Sequence, residues 1–156
     1  MKKMIKKYRK AKGFTLVELL IVIIIIGILA GMMMLSTGAA TDSAEATKIV
    51  SDMRNVKAAC AMYYLDNGTW PTSINTSVDK YMDLPINATG SKFGITSSDT
   101  VMWLTYTDTT FSSTNKGVAE KLKGMASRVG LYKAATGTVT SPDYEGESSV
   151  YMILKK

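Results

Sequence analysis

Residues Phe14–Leu35 read FTLVELLIVIIIIGILAGMMML, and after Glu18 the seventeen residues Leu19–Leu35 carry no charge. As a helix rising 1.5 Å per residue this stretch covers about 33 Å, which matches a hydrocarbon layer of roughly 30 Å. Ile and Val are mediocre helix formers in water, but in lipid the backbone must satisfy its own hydrogen bonds, so helix is enforced whatever the propensity. About a dozen Leu, Ile and Val, each worth roughly −0.3 to −0.6 kcal/mol on insertion, outweigh one acid near the interface and two glycines. The stretch is therefore expected to be a single transmembrane helix. The acid is the anomaly. An ionisable group in an apolar span is costly, so Glu18 calls for a partner and a function.

What precedes the stretch fixes its orientation. The whole chain of 156 residues has 19 Lys+Arg against 13 Asp+Glu, a formal charge of +6. Seven of the positive charges, Lys2, Lys3, Lys6, Lys7, Arg9, Lys10 and Lys12, stand before Gly13 with no acid among them. By the positive-inside rule this leader stays cytoplasmic and the residues after Leu35 lie outside. Without the leader, 12 basic side chains face 13 acidic ones, a net −1. The basic balance is thus a topology signal, and the near-neutral remainder argues against strong nonspecific binding of nucleic acid. A secretory signal peptide with Gly38-Ala39-Ala40 as its cleavage site is the competing reading. Its apolar core is ordinarily 7–15 residues and free of acids, unlike this one.

The segment Lys12-Gly13-Phe14-Thr15-Leu16-Val17-Glu18-Leu19 resembles the prepilin processing site shared by type IV pilins and type II secretion pseudopilins. It combines a short basic leader ending in Gly13, an aromatic residue next, an acid five residues into the remaining chain and an immediate apolar run. The resemblance implies that a membrane-embedded prepilin peptidase cuts between Gly13 and Phe14 and methylates the new amine of Phe14, which keeps its positive charge. It implies further that Glu18 of one subunit meets the Phe14 amine of a neighbour entering the fibre base. Either charge alone would be expensive to bury, so such a pair reports correct docking. The implied partners are the peptidase, an inner-membrane assembly platform and further copies of the chain.

Gly27 and Gly31 form a G-x-x-x-G pair. Three readings stay open: close helix packing, the ordinary frequency of glycine in membrane helices, and, by resemblance, local loosening of the packed helix.

Beyond Leu35 the apolar residues thin to a stripe. Ala46, Ile49, Met53, Val56, Cys60 and Tyr63 recur in steps of three and four, with Glu45, Lys48, Asp52, Asn55 and Lys57 between them. The pattern predicts one long helix from about Phe14 to Leu65, with an apolar first half at 14–35 and an amphipathic second half at 36–66. Cys60 on the stripe is expected to be a buried, inert thiol, and a single Cys excludes an intrachain disulfide. Tyr64-Leu65-Asp66-Asn67-Gly68-Thr69-Trp70-Pro71-Thr72 then ends the helix, and this exit, with its tyrosine, Asp-Asn-Gly turn, aromatic residue and proline, is similar to that of many pilins and especially the major pseudopilins. Asn67, Asn75 and Asn87 begin Asn-x-Ser/Thr sequons that read as turn composition.

The head, 67–156, is rich in Ser, Thr and Gly. Val101–Tyr106 and Ser149–Leu154 have strand character; Val118, Leu122, Met125, Ala126 and Val129 have helical spacing before Gly130; Leu131-Tyr132 is a further strand candidate. The fold class expected is α+β, a long amino-terminal helix packed on a small antiparallel sheet of three or four strands. With no His, no phosphate loop and no nucleophile–base pair, an enzyme is not expected. Asp143, Glu145 and Glu147 alternate around Gly146; they read as a solvated acidic hairpin, or as carboxylates that could converge on Ca²⁺, as a late loop does in the major pseudopilins they resemble. No other cofactor is expected. The functional expectation is a pilus subunit, with a pseudopilin next and a membrane-anchored binding module or adhesin as the rival from another class.

Overall fold

A computed structural model of the chain describes residues 13–74, 76–83, 92–137, 139 and 141–156. The leader through Lys12, and Asn75 and Asn87 of the sequons, lie outside the described residues. The chain divides into two compact units, one through Gly38 and one from Ala39.

Helix α1 runs Leu16–Asn67, so it begins and ends two residues later than the periodicity predicts. Its portion through Gly38 carries the apolar run. In the second unit the helix is amphipathic, with Ala46, Ile49, Met53, Val56 and Cys60 buried and Tyr63 half-buried against the same core. Its end is set by the residues the sequence singles out. The Asn67 side-chain amide donates to the Tyr63 carbonyl (2.9 Å), the Gly68 N–H donates to the Tyr64 carbonyl (2.8 Å), and Gly68 enters the left-handed region at φ +71°, where a Cβ is disfavoured. Tyr64 stacks on Trp70, and the Tyr81 hydroxyl donates to Asp66 (2.7 Å), which fastens the exit. A four-residue helix that the sequence pattern did not announce, α2 (Thr76–Asp79), delivers Val78 fully into the core.

The sheet has three antiparallel strands in the order β1 (Phe93–Ser98), β2 (Val101–Thr107), β3 (Ser149–Lys155). β1 and β2 form a hairpin, Ser98 opposite Val101, and β3 pairs on the far side of β2, Tyr106 opposite Val150. β2 is apolar almost throughout because both of its faces are covered. Leu104 and Tyr106 face the main core with Val150, Met152 and Leu154, whereas Val101 and Trp103 face a smaller cluster with Tyr132, Tyr151 and Ile153. Alternation along the strand puts the two sets on opposite faces, a register shift lies between Met102 and Trp103, and the Trp103 indole donates to the Thr136 carbonyl (3.1 Å). Leu131-Tyr132, read as a further strand, forms only an isolated bridge between Tyr132 and Tyr151. The chain there turns from helix to loop, and Leu131 is used as a core plug.

A 3₁₀ turn at Thr109–Ser112 and helix α3 (Lys116–Val129) fill the connection between β2 and β3. α3 buries Val118, Ala119, Leu122 and Ala126 on one face and ends at Gly130, whose φ of +83° lets its N–H return to the Ala126 carbonyl (2.8 Å). Asp108, at 3% exposure, is the one buried charged side chain among the described residues. It caps the 3₁₀ turn by accepting from the Thr110 N–H (2.9 Å) and hydroxyl (2.6 Å), and it pairs with Lys92 at the start of β1. Burial alone would raise its carboxyl, but the Lys92 and Thr110 donors outweigh that and hold it below the usual carboxylate range.

Candidate functional site

The amino-terminal unit is built by a local motif and left unfinished by its surface. Gly13, Phe14 and Thr15 precede the helix, and Phe14 is 91% exposed. Thr15 and Glu18 form a capping box. The Thr15 N–H and hydroxyl both donate to the Glu18 carboxylate at 2.8 Å, and the Glu18 N–H donates back to the Thr15 hydroxyl at 3.2 Å. Two backbone donors at the helix start, which have no partner within a helix, are thereby satisfied by side chains. Glu18 therefore has a partner within its own chain, one residue beyond the Gly13–Phe14 bond. Thr15 is the residue sequence reasoning missed. The signal was present as the T-x-x-E spacing of Thr15 and Glu18 ahead of an apolar run.

From Phe14 to Met33 fifteen large apolar side chains are each at least 47% exposed, and Ile21–Ile26 is an unbroken run of them. Burying one such side chain is worth roughly 1.5–3 kcal/mol, so this surface is strongly unfavourable in water and requires lipid or protein against it. By length and composition the helix is long and apolar enough to cross a membrane. Gly27 and Gly31 lie four residues apart on this surface, and a Cβ added to either would meet open space. Any close packing at these glycines would thus be against a second molecule.

The carboxylates of the head are not gathered into a cation site. Asp143 pairs with the Lys133 ammonium at 3.6 Å and accepts from the Lys133 N–H at 3.2 Å. Glu147 accepts from the Glu145 N–H at 3.0 Å, closing a tight turn at Gly146. Among the described residues no three His, Cys, Asp or Glu side chains stand where one metal ion could be held. Within Asp143, Glu145 and Glu147, Asp143 is answered by a lysine and Glu147 by the backbone. Cys60 is buried at the core, and that burial pushes its thiol up to about 11, so little thiolate is present at neutral pH.

Residues 8–34 match the family model described as the prokaryotic N-terminal methylation motif. The chain is 42% identical over 62 residues to the type II secretion system core protein G of Klebsiella michiganensis, covering 40% of this chain and 44% of that one. With the core protein G of Vibrio cholerae it shares 40% identity over 68 residues (44% and 47%), and with that of Escherichia coli 37% over 76 (49% and 52%). The matched stretch spans about half the length of these relatives. In fold, the chain resembles the major type IV pilin of Clostridium difficile, with a TM-score of 0.54 and 17% identity over 76% of this chain and 99% of that one. The methylation motif and the related sequences thus make the amino-terminal half of the chain similar to the type IV pilin and type II secretion pseudopilin superfamily, and the long helix joined to a three-stranded antiparallel sheet is a type IV pilin fold.

Proposed function

We propose that this protein is the structural subunit of a type IV pilus-like filament. It is made as an inner-membrane precursor with its leader in the cytoplasm, cut by prepilin peptidase between Gly13 and Phe14, methylated on the Phe14 amine and polymerised through its apolar helix. The observation that carries the reading is the exposed apolar surface from Phe14 to Met33 immediately behind a processing motif. Lipid covers that surface before assembly, and neighbouring helices cover it afterwards. Removing Gly13 from Phe14 places a cationic amine one residue before Thr15, within reach of the carboxylates that Glu18 residues contribute in the fibre. Filaments sheared from cells, with a mature amino terminus determined by mass spectrometry, test this. Fibres whose subunits begin at methylated Phe14 are expected, and an uncut monomer confined to membranes would overturn it.

A second reading, the major subunit of a type II secretion pseudopilus, draws support from relatives in Klebsiella, Vibrio and Escherichia that bear the name core protein G. A retraction motor encoded nearby favours the pilus, and an outer-membrane secretin with secretion scaffolds favours the pseudopilus.

A further inference from the structure

Arg54 and Lys57 lie three residues apart on α1, both exposed, and both line a pocket of about 250 Å³ floored by Val129, Tyr132, Met152 and Ile153. The positions three and four residues away on the helix hold no acid, and among the described residues no carboxylate lies within ion-pair distance of either. Gly130, at the end of α3, also lines the pocket. A helix carboxyl end there contributes roughly half a negative charge, which two full positive charges exceed, so the pocket is net cationic over an apolar floor.

The acidic turn carries the opposite sign. Tyr144 is buried; its N–H reaches the Leu131 carbonyl (3.3 Å), and its hydroxyl donates to the Glu147 carbonyl (2.7 Å). With Gly146 at φ +112° and the Glu145 N–H bound to the Glu147 carboxylate, the turn is fixed before any partner arrives. Glu145 is exposed, Glu147 half-exposed, and neither has an ion-pair partner among the described residues.

We propose that the Glu145–Glu147 turn of one copy docks on the Arg54 and Lys57 pocket of the next copy in the fibre. The proposal rests on the filament reading and deepens it. Turn and pocket share no residue, and repeating the contact in one direction from copy to copy makes it heterologous. A heterologous contact that does not close into a ring generates an open helical filament, as a fibre requires. An exposed ion pair between surfaces contributes little alone, but here both carboxylates and both cations meet over apolar floor, and each copy repeats the contact.

The test uses the full chain in cells. Arg54→Glu with Lys57→Glu in one chain, and Glu145→Lys with Glu147→Lys in another, should each lower the yield of sheared fibres about tenfold or more by placing like charges opposite one another. Co-expressed, the two chains should restore fibres containing both, since each then offers a matching surface to the other. Parental yield from either variant, or no restoration on co-expression of folded chains, overturns the docking. If a charge-reversed chain fails to fold, Lys57→Cys with Glu145→Cys decides. An oxidant-dependent ladder of cross-linked subunits supports the contact, and a monomer band alone overturns it. Failure of the parent chain to form fibres would sink the filament reading instead, so the two failures are distinguishable.

Discussion

The Asp42 carboxylate stands in the space that a Cβ on Gly117 would need. Gly117 is the second residue of α3, in the turn whose N–H groups lack helical partners, and Asn115 provides no side-chain cap there. Asp42, reaching from α1, thus places a negative charge at the positive pole of α3, an interaction worth about 0.3–1 kcal/mol at such sites. Gly117→Ala should then behave differently in two backgrounds. In the parent chain its gain in helix propensity is offset or exceeded by displacement of Asp42. In the Asp42→Ala background the same change should stabilise by about 0.5–1 kcal/mol. Urea unfolding of the four chains of this cycle measures the coupling, and an identical effect in both backgrounds would refute it.

The core makes a sharper demand on single residues. Met53 and Leu104 are fully buried from opposite sides, α1 and β2. Truncating either to Ala should cost about 2–5 kcal/mol through lost transfer energy and the residual cavity. Leu65→Ala, at a position 79% exposed, should stay within about 0.5 kcal/mol. Denaturant midpoints of the three variants in detergent would separate these classes.

Local signals account for what the sequence makes legible. The stripe from Ala46 to Tyr63, the Asn67-Gly68 stop and Gly130 after α3 each depend on residues within one or two turns, and each is found where the pattern places it. The capping box is equally local and was readable from Thr15 and Glu18. Pairings across long separations were not legible. β1 carries Gly94 and three serines and threonines, so its alternation is confined to Phe93 and Ile95, too short to mark a strand without its register against β2. The Lys92–Asp108 pair and the seat of Asp42 at Gly117 join residues 16 and 75 apart, which no periodicity reports. The ion pair of Asp143 with Lys133, ten residues away, is likewise not reported by the alternation of Asp143, Glu145 and Glu147.

The Lys92–Asp108 pair sets an acid limit on the head. Lys92 is raised, chiefly by its hydrogen bond to Asp108, and the Asp108 carboxyl is lowered. A depressed folded carboxyl contributes stability that is fully present above its unfolded value of about 3.9 and is lost as pH falls through the lower folded one. Raised Lys92 acts at the other end, its contribution being present below about pH 10.4 and lost above it. Lys92→Met leaves a buried carboxylate without its cation and should cost about 1–3 kcal/mol at neutral pH, while moving acid unfolding to higher pH. Asp108→Asn should flatten the stability profile below pH 4. Circular dichroism melts across pH 2–7 would show both, and an unchanged acid midpoint in Lys92→Met would refute the assignment.

Calcium should leave the protein indifferent. Binding to a folded state alone raises its stability by RT ln(1 + [L]/Kd), so a functional Ca²⁺ site would move the melting temperature on chelation. With Asp143 held by Lys133 and Glu147 by the Glu145 N–H, the melting temperature of the detergent-solubilised chain should be the same in millimolar Ca²⁺ and in EDTA. A rise of several degrees in Ca²⁺ would restore the metal reading.

At the amino terminus, Thr15 and Glu18 should separate two roles of one carboxylate. Glu18→Ala removes both the cap and the charge that the proposed fibre contact needs, so cleavage at Gly13 should persist while sheared filaments fall to background. Thr15→Ser keeps a hydroxyl that can donate to Glu18 and should assemble like the parent. Thr15→Val keeps the backbone N–H bond but loses the hydroxyl on both sides of the box, a change worth about 0.5–2 kcal/mol at helix starts in water. If Thr15 serves by orienting Glu18, this variant should yield fewer fibres with unchanged processing, and Thr15→Ser should rescue it. Immunoblots of sheared and cell-bound fractions read both quantities together. Full assembly of Glu18→Ala would remove the acid from the mechanism, and equal yields from Thr15→Val and Thr15→Ser would confine the capping box to holding the first turn.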